Sequence, residues 1–336
     1  ETLARNWFYD FLYLWHMPAF IFLSGYLSQG YRWTGQRTWQ LFTSLAVPYI
    51  IFEAALALFR IHVGGEQISA LWADPHFPLW YLPALLVWRL LAPIFRPLWG
   101  GLAVAVLVSL VGGFLHSDTA QFFDMSRMMG FLPFFVLGLK ATPERLEQLR
   151  TRSSRVLGIV VFAVIGVLGW TFDDWGQLSY LYARSYDIGG DPAAEAMMIR
   201  VVVLAAGMAG ALAWLSLVPR VDGWFARMGT ATLIVYLFHG FAVKGLEFAG
   251  SAEWVADRPW TGLIGLTITG LAITFLLAAP PVRRVLQHVA DPFASARRTV
   301  DDAVEVTAVV QEHEAELEQQ AEPRAELEAG PLAGSR

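Results

Sequence analysis

Three ionisable side chains stand inside apolar runs long enough to cross a membrane. His16 lies in Trp15-His16-Met17-Pro18-Ala19-Phe20-Ile21-Phe22-Leu23-Ser24-Gly25-Tyr26 of the segment 8–28, Glu53 in Val47 to Leu58 of the segment 41–61, and His239 in Leu233 to Val243 of the segment 230–248. A group that exchanges protons is costly in hydrocarbon unless something uses or satisfies it, so each is a functional candidate. An imidazole titrates near neutrality and can take the proton of a hydroxyl, which suits transfer of a group onto oxygen. A packed histidine bonded to a neighbouring helix is the other reading of His16. Tyr236 precedes His239 by three residues and shares its helical face, as a relay or as part of a satisfied structural pair. A lone carboxylate at Glu53 is expected to be neutral or paired. It either orients His16 from an adjacent helix, as carboxylates do in hydrolytic triads, or makes an interhelical hydrogen bond.

The elements that must hold these groups are membrane helices. Apolar residues make up 56% of the chain and charged ones 16%, against about 25% charged in soluble domains, and the mean hydropathy is +0.47. Nine segments approach the ~20 residues needed to cross about 30 Å of hydrocarbon: 8–28, 41–61, 79–95, 98–115, 122–139, 155–172, 197–217, 230–248 and 260–280. Of 24 Lys and Arg, seventeen fall on one set of alternate loops and the C-terminal tail, seven on the other. The richer side is cytoplasmic by the positive-inside rule, which puts the C-terminus inside. The expected architecture is an all-α polytopic transmembrane bundle at 1–284, followed by an acidic, largely disordered cytoplasmic tail at 285–336. From Arg297 onward that tail carries four Arg and ten Asp or Glu and no aromatic residue, too little apolar surface to offset chain entropy. The absence of cysteine excludes disulfides, thiolate metal sites and a cysteine nucleophile. No Gly-rich phosphate loop, nucleic-acid patch or solenoid repeat is present, and no signal peptide is read at Glu1.

Four segments resemble motifs of integral-membrane acyltransferase family 3, in its fucose 4-O-acetylase-like branch. Trp15 to Tyr26 is similar to the family's His-Met-Pro…Phe…Ser-Gly segment, and Phe77 to Leu91 to its Trp-Phe/Tyr-Leu segment leading into a helix that ends in arginine. Ser126 to Leu139 resembles its Phe-Leu-Pro-Phe-Phe…Gly helix, and Met228 to Val243 its late helix ending in Tyr-x-x-His, with Thr232 where serine is usual. The resemblance covers nearly all of residues 8–280 and implies about ten spans, the first with a histidine near its outer end. No segment before Trp7 corresponds to it, so the chain reads as lacking that helix, in line with an N-terminus placed outside by charge.

What the resemblance implies is an O-acyltransferase of the plasma membrane. It would take an acyl group, acetyl first of all, from acyl-CoA and pass it to a hydroxyl of a cell-surface or lipid-linked carbohydrate, with no metal and no nucleic acid. His16, His239 and Glu53 are the catalytic candidates. Trp80, Tyr81, Arg127 and Tyr236 are candidates for acceptor binding; for Trp80 and Tyr81 an interfacial aromatic belt is the alternative, and for Arg127 an ion pair with Asp124. Arg32, Arg37, Arg89 and Arg96, with Lys140, are candidates for the acyl-CoA phosphates or for lipid head groups. Ser24-Gly25 reads as close helix packing. The loop at 173–196, long for a helix connection, is expected to cover the acceptor site from outside. An exporter of a small acid or sugar conjugate, and an inactive remnant, are the competing functions.

Overall fold

The computed structural model describes residues 7–68, 75, 78–116, 122–172, 176–186, 192–219, 223, 226 and 228–290. The described residues contain α-helices, short 3-10 turns and no strand. The chain divides into two units, Glu1–Arg284 and Val285–Arg336. Most of the acidic tail, from residue 291, lies outside the described residues.

The long helices are α1 (Trp7–Leu27), α2 (Gly35–His62), α3 (Tyr81–Phe95), α4 (Gly101–Gly112), α5 (Met125–Leu139), α7 (Arg152–Trp170), α9 (Ala193–Leu217), α10 (Thr232–Phe248), α12 (Pro259–Ala278) and α13 (Pro280–Ala290). Shorter ones lie between them: α6 (Pro143–Gln148), α8 (Leu178–Leu181) and α11 (Ser251–Ala256). Among the described residues six helical stretches are long and apolar enough to cross a membrane: Gly35–His62, Phe122–Leu139, Arg152–Trp170, Ala193–Leu217, Gly229–Phe248 and Trp260–Ala278. The 21 residues of α1 match them in length but carry Asp10 and His16. At 1.5 Å per residue, α3 and α4 extend only about 22 and 18 Å, short of the hydrocarbon thickness expected of spans three and four.

Within the first unit α1 is the hub, packed on α5, α9 and α7, with α4 against α5. Small residues make those approaches possible. A Cβ on Gly25 would fall on the carbonyl oxygen of Phe135, and one on Gly138 on that of Phe22, so α1 and α5 cross backbone to backbone. Gly169 meets the backbone of Phe11, and Gly210 the side chain of Trp15, in the same way. This agrees with a packing role for Ser24-Gly25. A second group joins α2 to α3 and α10, and α10 to α12. The outer faces of α7 and α12, among them Val156, Val160, Val167, Ile264, Ile268 and Leu276, are apolar and exposed, as lipid-facing surfaces are.

Prolines interrupt the helices near the polar residues. Pro18, Pro48, Pro93 and Pro133 lie inside α1, α2, α3 and α5 and remove one helical N–H each. The fifth expected span begins differently from a regular helix: a 3-10 turn at Phe122–Asp124 precedes α5, with Phe123 and Asp124 at φ 52° and 51° in the left-handed region. Asp124 and Arg127 therefore do not pair along one regular helix face; the carboxylate comes from the left-handed residue that caps α5.

Candidate active site

Tyr9, Tyr13 and His16 recur at helical spacing along one face of α1. The carbonyl of Leu12 accepts a hydrogen bond of 2.8 Å from His16 Nδ1, which must carry the proton, since a carbonyl cannot donate. In the neutral ring Nε2 is then the free acceptor. His16 is exposed on the protein surface. The Tyr13 ring stands edge-on to His16 at 5.1 Å and to Tyr182 at 4.8 Å, and the hydroxyls of Tyr9 and Tyr182 share a 2.5 Å hydrogen bond.

Arg127 continues this cluster. It is buried, its Nη1 donates to Asp124 at 3.0 Å and its Nε to the Tyr182 carbonyl at 3.2 Å. The guanidinium lies 5.0 Å from the Trp80 ring and 5.2 Å from the Tyr182 ring, a geometry a planar cation suits and an ammonium does not.

A second cluster forms around Tyr81. Ser24 gives its proton to the Phe20 carbonyl at 3.0 Å, so its short contact with Tyr81 is donated by the tyrosine; the serine is an acceptor here, unlike an activated nucleophile. The Tyr81 ring is 5.7 Å from Tyr236, whose hydroxyl donates 2.7 Å to the Pro78 carbonyl beside the first amides of α3. His239 bonds the carbonyl of Tyr236 at 2.6 Å through Nδ1, with the two rings 5.9 Å apart. Glu53, fully buried on α2, has Tyr236 as an electrostatic neighbour. The expectation that Glu53 faces His16 assumed that consecutive helices are neighbours; α2 instead packs on α3 and α10, while α1 packs on α5, α9 and α7.

Trp80 and Tyr81 do not form an interfacial belt. They are 2% and 4% exposed, and Trp80 stacks on Phe131 at 5.4 Å. Pro78 abuts Gly240, and Gly64 abuts Phe248, so the residues just after α2 and those just before α3 both lie against α10. Trp80, 6.2 Å from Tyr81 and 5.0 Å from the Arg127 guanidinium, links the two clusters.

The cationic candidates separate. Arg96 and Lys140 line a concavity of about 530 Å³ together with Gln29, Trp99, Thr142 and Arg145. Arg89 donates instead to Ser28 at 3.1 Å, Arg37 to the Gly30 carbonyl, and Arg32 is exposed. Arg145 was not singled out by sequence, though it stands five residues after Lys140 behind the capping threonine Thr142. Tyr13, Tyr182 and the buried Arg200 were also not singled out. The 3- and 4-residue spacing of Tyr9, Tyr13 and His16 was the available signal for Tyr13; nothing local marked Tyr182. Arg200, which falls on the basic-poor side in the distribution of charges, is 1% exposed inside α9.

Among the described residues no group of His, Cys, Asp and Glu could hold a metal ion. The chain is 26% identical over 254 residues to nodulation protein NolL of Sinorhizobium fredii (strain NBRC 101917 / NGR234), covering 69% of this chain and 67% of that protein. No solved structure matches. Residues 1–279 match the family described as an acyltransferase domain, and the protein is a membrane acyltransferase belonging to acyltransferase family 3.

Proposed function

We propose that the protein moves an acetyl group from acetyl-CoA, entering from the cytoplasmic side, to a hydroxyl of a cell-surface or lipid-linked carbohydrate at the outer face of the plasma membrane. His16 is the general base. Its Nε2 takes the acceptor's proton as the hydroxyl oxygen attacks the thioester carbonyl; the tetrahedral intermediate collapses, the C–S bond breaks, and the proton passes to the departing thiolate. The observation that carries this reading is the hydrogen bond from Nδ1 to the Leu12 carbonyl, which leaves Nε2 as an acceptor on an exposed side chain.

The concavity of Arg96, Lys140 and Arg145 suits the donor's phosphates. Gln29, on its wall, lies just past the end of α1 at Leu27, and His16 stands eleven residues before that end, about 17 Å of helical rise, the order of an extended pantetheine arm. Half-buried Tyr236 and His239, with the buried Glu53, form a polar group beside α3 that supports the donor path. Incubating the protein in lipid nanodiscs with radiolabelled acetyl-CoA and a membrane glycan extract tests this. Base-labile label should appear in the carbohydrate fraction. Movement of sugar conjugates across sealed vesicles without any label incorporation would instead identify an exporter.

A further inference from the structure

Trp99 is the most exposed large apolar side chain among the described residues, 97% accessible, and it stands on the wall of the basic concavity. We propose that Trp99 is a binding residue for the donor, an open ring face on which the adenine of acetyl-CoA stacks while its phosphates lie against Arg96, Lys140 and Arg145. This rests on the transferase reading above, in which the donor is a CoA thioester. An indole left in water is unfavourable in proportion to the apolar area it exposes, so the surrounding chain must hold it there.

The turn between α3 and α4 does so. Lys140, at the C-terminal end of α5, donates through Nζ to the Leu98 carbonyl at 2.8 Å and to that of Arg96 at 3.4 Å. The Leu98 carbonyl also accepts from the Gly101 amide at 3.0 Å. Arg96 Nη1 donates to the Gln29 carbonyl at 2.5 Å, which ties the turn to the end of α1. Gly100 takes φ 76°, a left-handed conformation that a side chain would resist. A Cβ on Gly101 would stand 3.0 Å from Lys140 Cε and 3.2 Å from the Phe95 carbonyl oxygen. The residues on either side of Trp99 are therefore fixed, while Trp99 itself contributes almost no packing.

The chemistry of the concavity selects what the ring meets. The hydrogen bonds of Arg96 and Lys140 run to carbonyl oxygens, which leave their positive charge uncancelled, and Arg145 is exposed. Among the described residues no carboxylate lines the concavity. Cations in such a setting suit phosphates, and an open aromatic face beside them suits a base, since every base offers a π-face. About 530 Å³ is within the range of sites that enclose small molecules. A tryptophan of an interfacial belt serves the bilayer and needs no concavity, and a lipid head group brings phosphate without a ring.

ADP carries the adenine and the diphosphate of the donor without its thioester, and pyrophosphate reads the cations alone. Both are titrated into the protein in phosphatidylcholine nanodiscs. Trp99→Ala and Trp99→Leu should each weaken ADP binding about tenfold, while Trp99→Phe, which keeps a ring, stays near wild type. Pyrophosphate affinity should be unchanged in all three, and a side chain this exposed can be replaced with little effect on stability. The proposal is overturned if the wild type does not bind ADP, or if Trp99→Leu binds it as the wild type does, the result expected of a tryptophan that serves the bilayer. It is equally overturned if Trp99→Phe binds as weakly as Trp99→Leu, or if ADP and pyrophosphate affinity fall together. ADP binding that depends on Trp99, with no acetyl transfer to carbohydrate, would sink the transferase reading and leave the nucleotide site standing. Acetyl transfer by Trp99→Leu with an unchanged KM for acetyl-CoA would do the reverse.

Discussion

Gly25 of α1 lies directly against the carbonyl of Phe135 in α5, with no room for a methyl group between them. Gly138 makes the reciprocal approach to Phe22, so one crossing sets the distance between the helix that carries His16 and the helix that carries Arg127. Backbone cannot yield as a side chain tip can, and overpacking of this kind costs about 1–3 kcal/mol. Gly25→Ala and Gly138→Ala should each lower the melting temperature of the detergent-solubilised protein while keeping its helical circular dichroism. Because both act on one crossing, the double variant should lose less than the sum of the two. A wild-type melting temperature in either single variant would contradict this packing.

Substitution of His16 separates a base from a packing residue. Removing a structural hydrogen bond lowers stability by about 1–3 kcal/mol, whereas losing a general base removes about 10²–10⁴-fold of rate with the fold intact. His16→Ala and His16→Gln are expected to melt near wild type and to lose acetyl transfer alike. Retained activity in His16→Gln would move the proton transfer to another group, His239 first.

Arg145 is exposed on the wall of the basic concavity and caps nothing, whereas Lys140 also bonds the Leu98 carbonyl at 2.8 Å. Arg145→Glu is therefore the cleaner test of a phosphate site. The KM for acetyl-CoA should rise about tenfold with kcat little changed, and the rise should shrink at high salt as the charge is screened. An unchanged KM would place the donor elsewhere.

A pH dependence follows from Glu66, which binds Arg60 and lies 3.5 Å from Lys244, tying the chain after α2 to α10. Burial alone would raise its carboxyl; the hydrogen bond and charge of Arg60, with the charge of Lys244, outweigh it and hold the group below the usual range. A carboxyl lowered in the folded state stabilises above its unfolded pKa and loses that contribution as pH falls through the folded value. Glu66→Gln should therefore melt below wild type at about pH 6, and the gap should close towards about pH 3. A gap that persists at the acid end would mean that Glu66 acts through packing.

Topology is open to direct measurement. A reporter fused after Arg298 is expected to be active only in the cytoplasm, and one inserted in the 173–196 loop only outside. The reverse pair of results would invert the assignment of faces and, with it, the side from which the donor enters.

The helical class, the longer spans and the candidates His16, His239 and Glu53 were legible in the residues themselves, because hydropathy and the cost of a charge in hydrocarbon are properties of a local run. Ser24-Gly25 could likewise be read as a packing pair, since only a residue without a side chain allows so close a crossing. Which helices become neighbours was not legible. It depends on where glycines on distant segments meet, as Gly25 and Gly138 do, and this separates Glu53 on α2 from His16 on α1. Trp80 can be read as interfacial because it begins an apolar run; only contacts with the distant Arg127 and Phe131 bury it. Tyr182 owes its place over Tyr13 to carbonyls held by Arg127 and Arg200, contacts that span 55 and 16 residues of sequence and leave no mark within any local window.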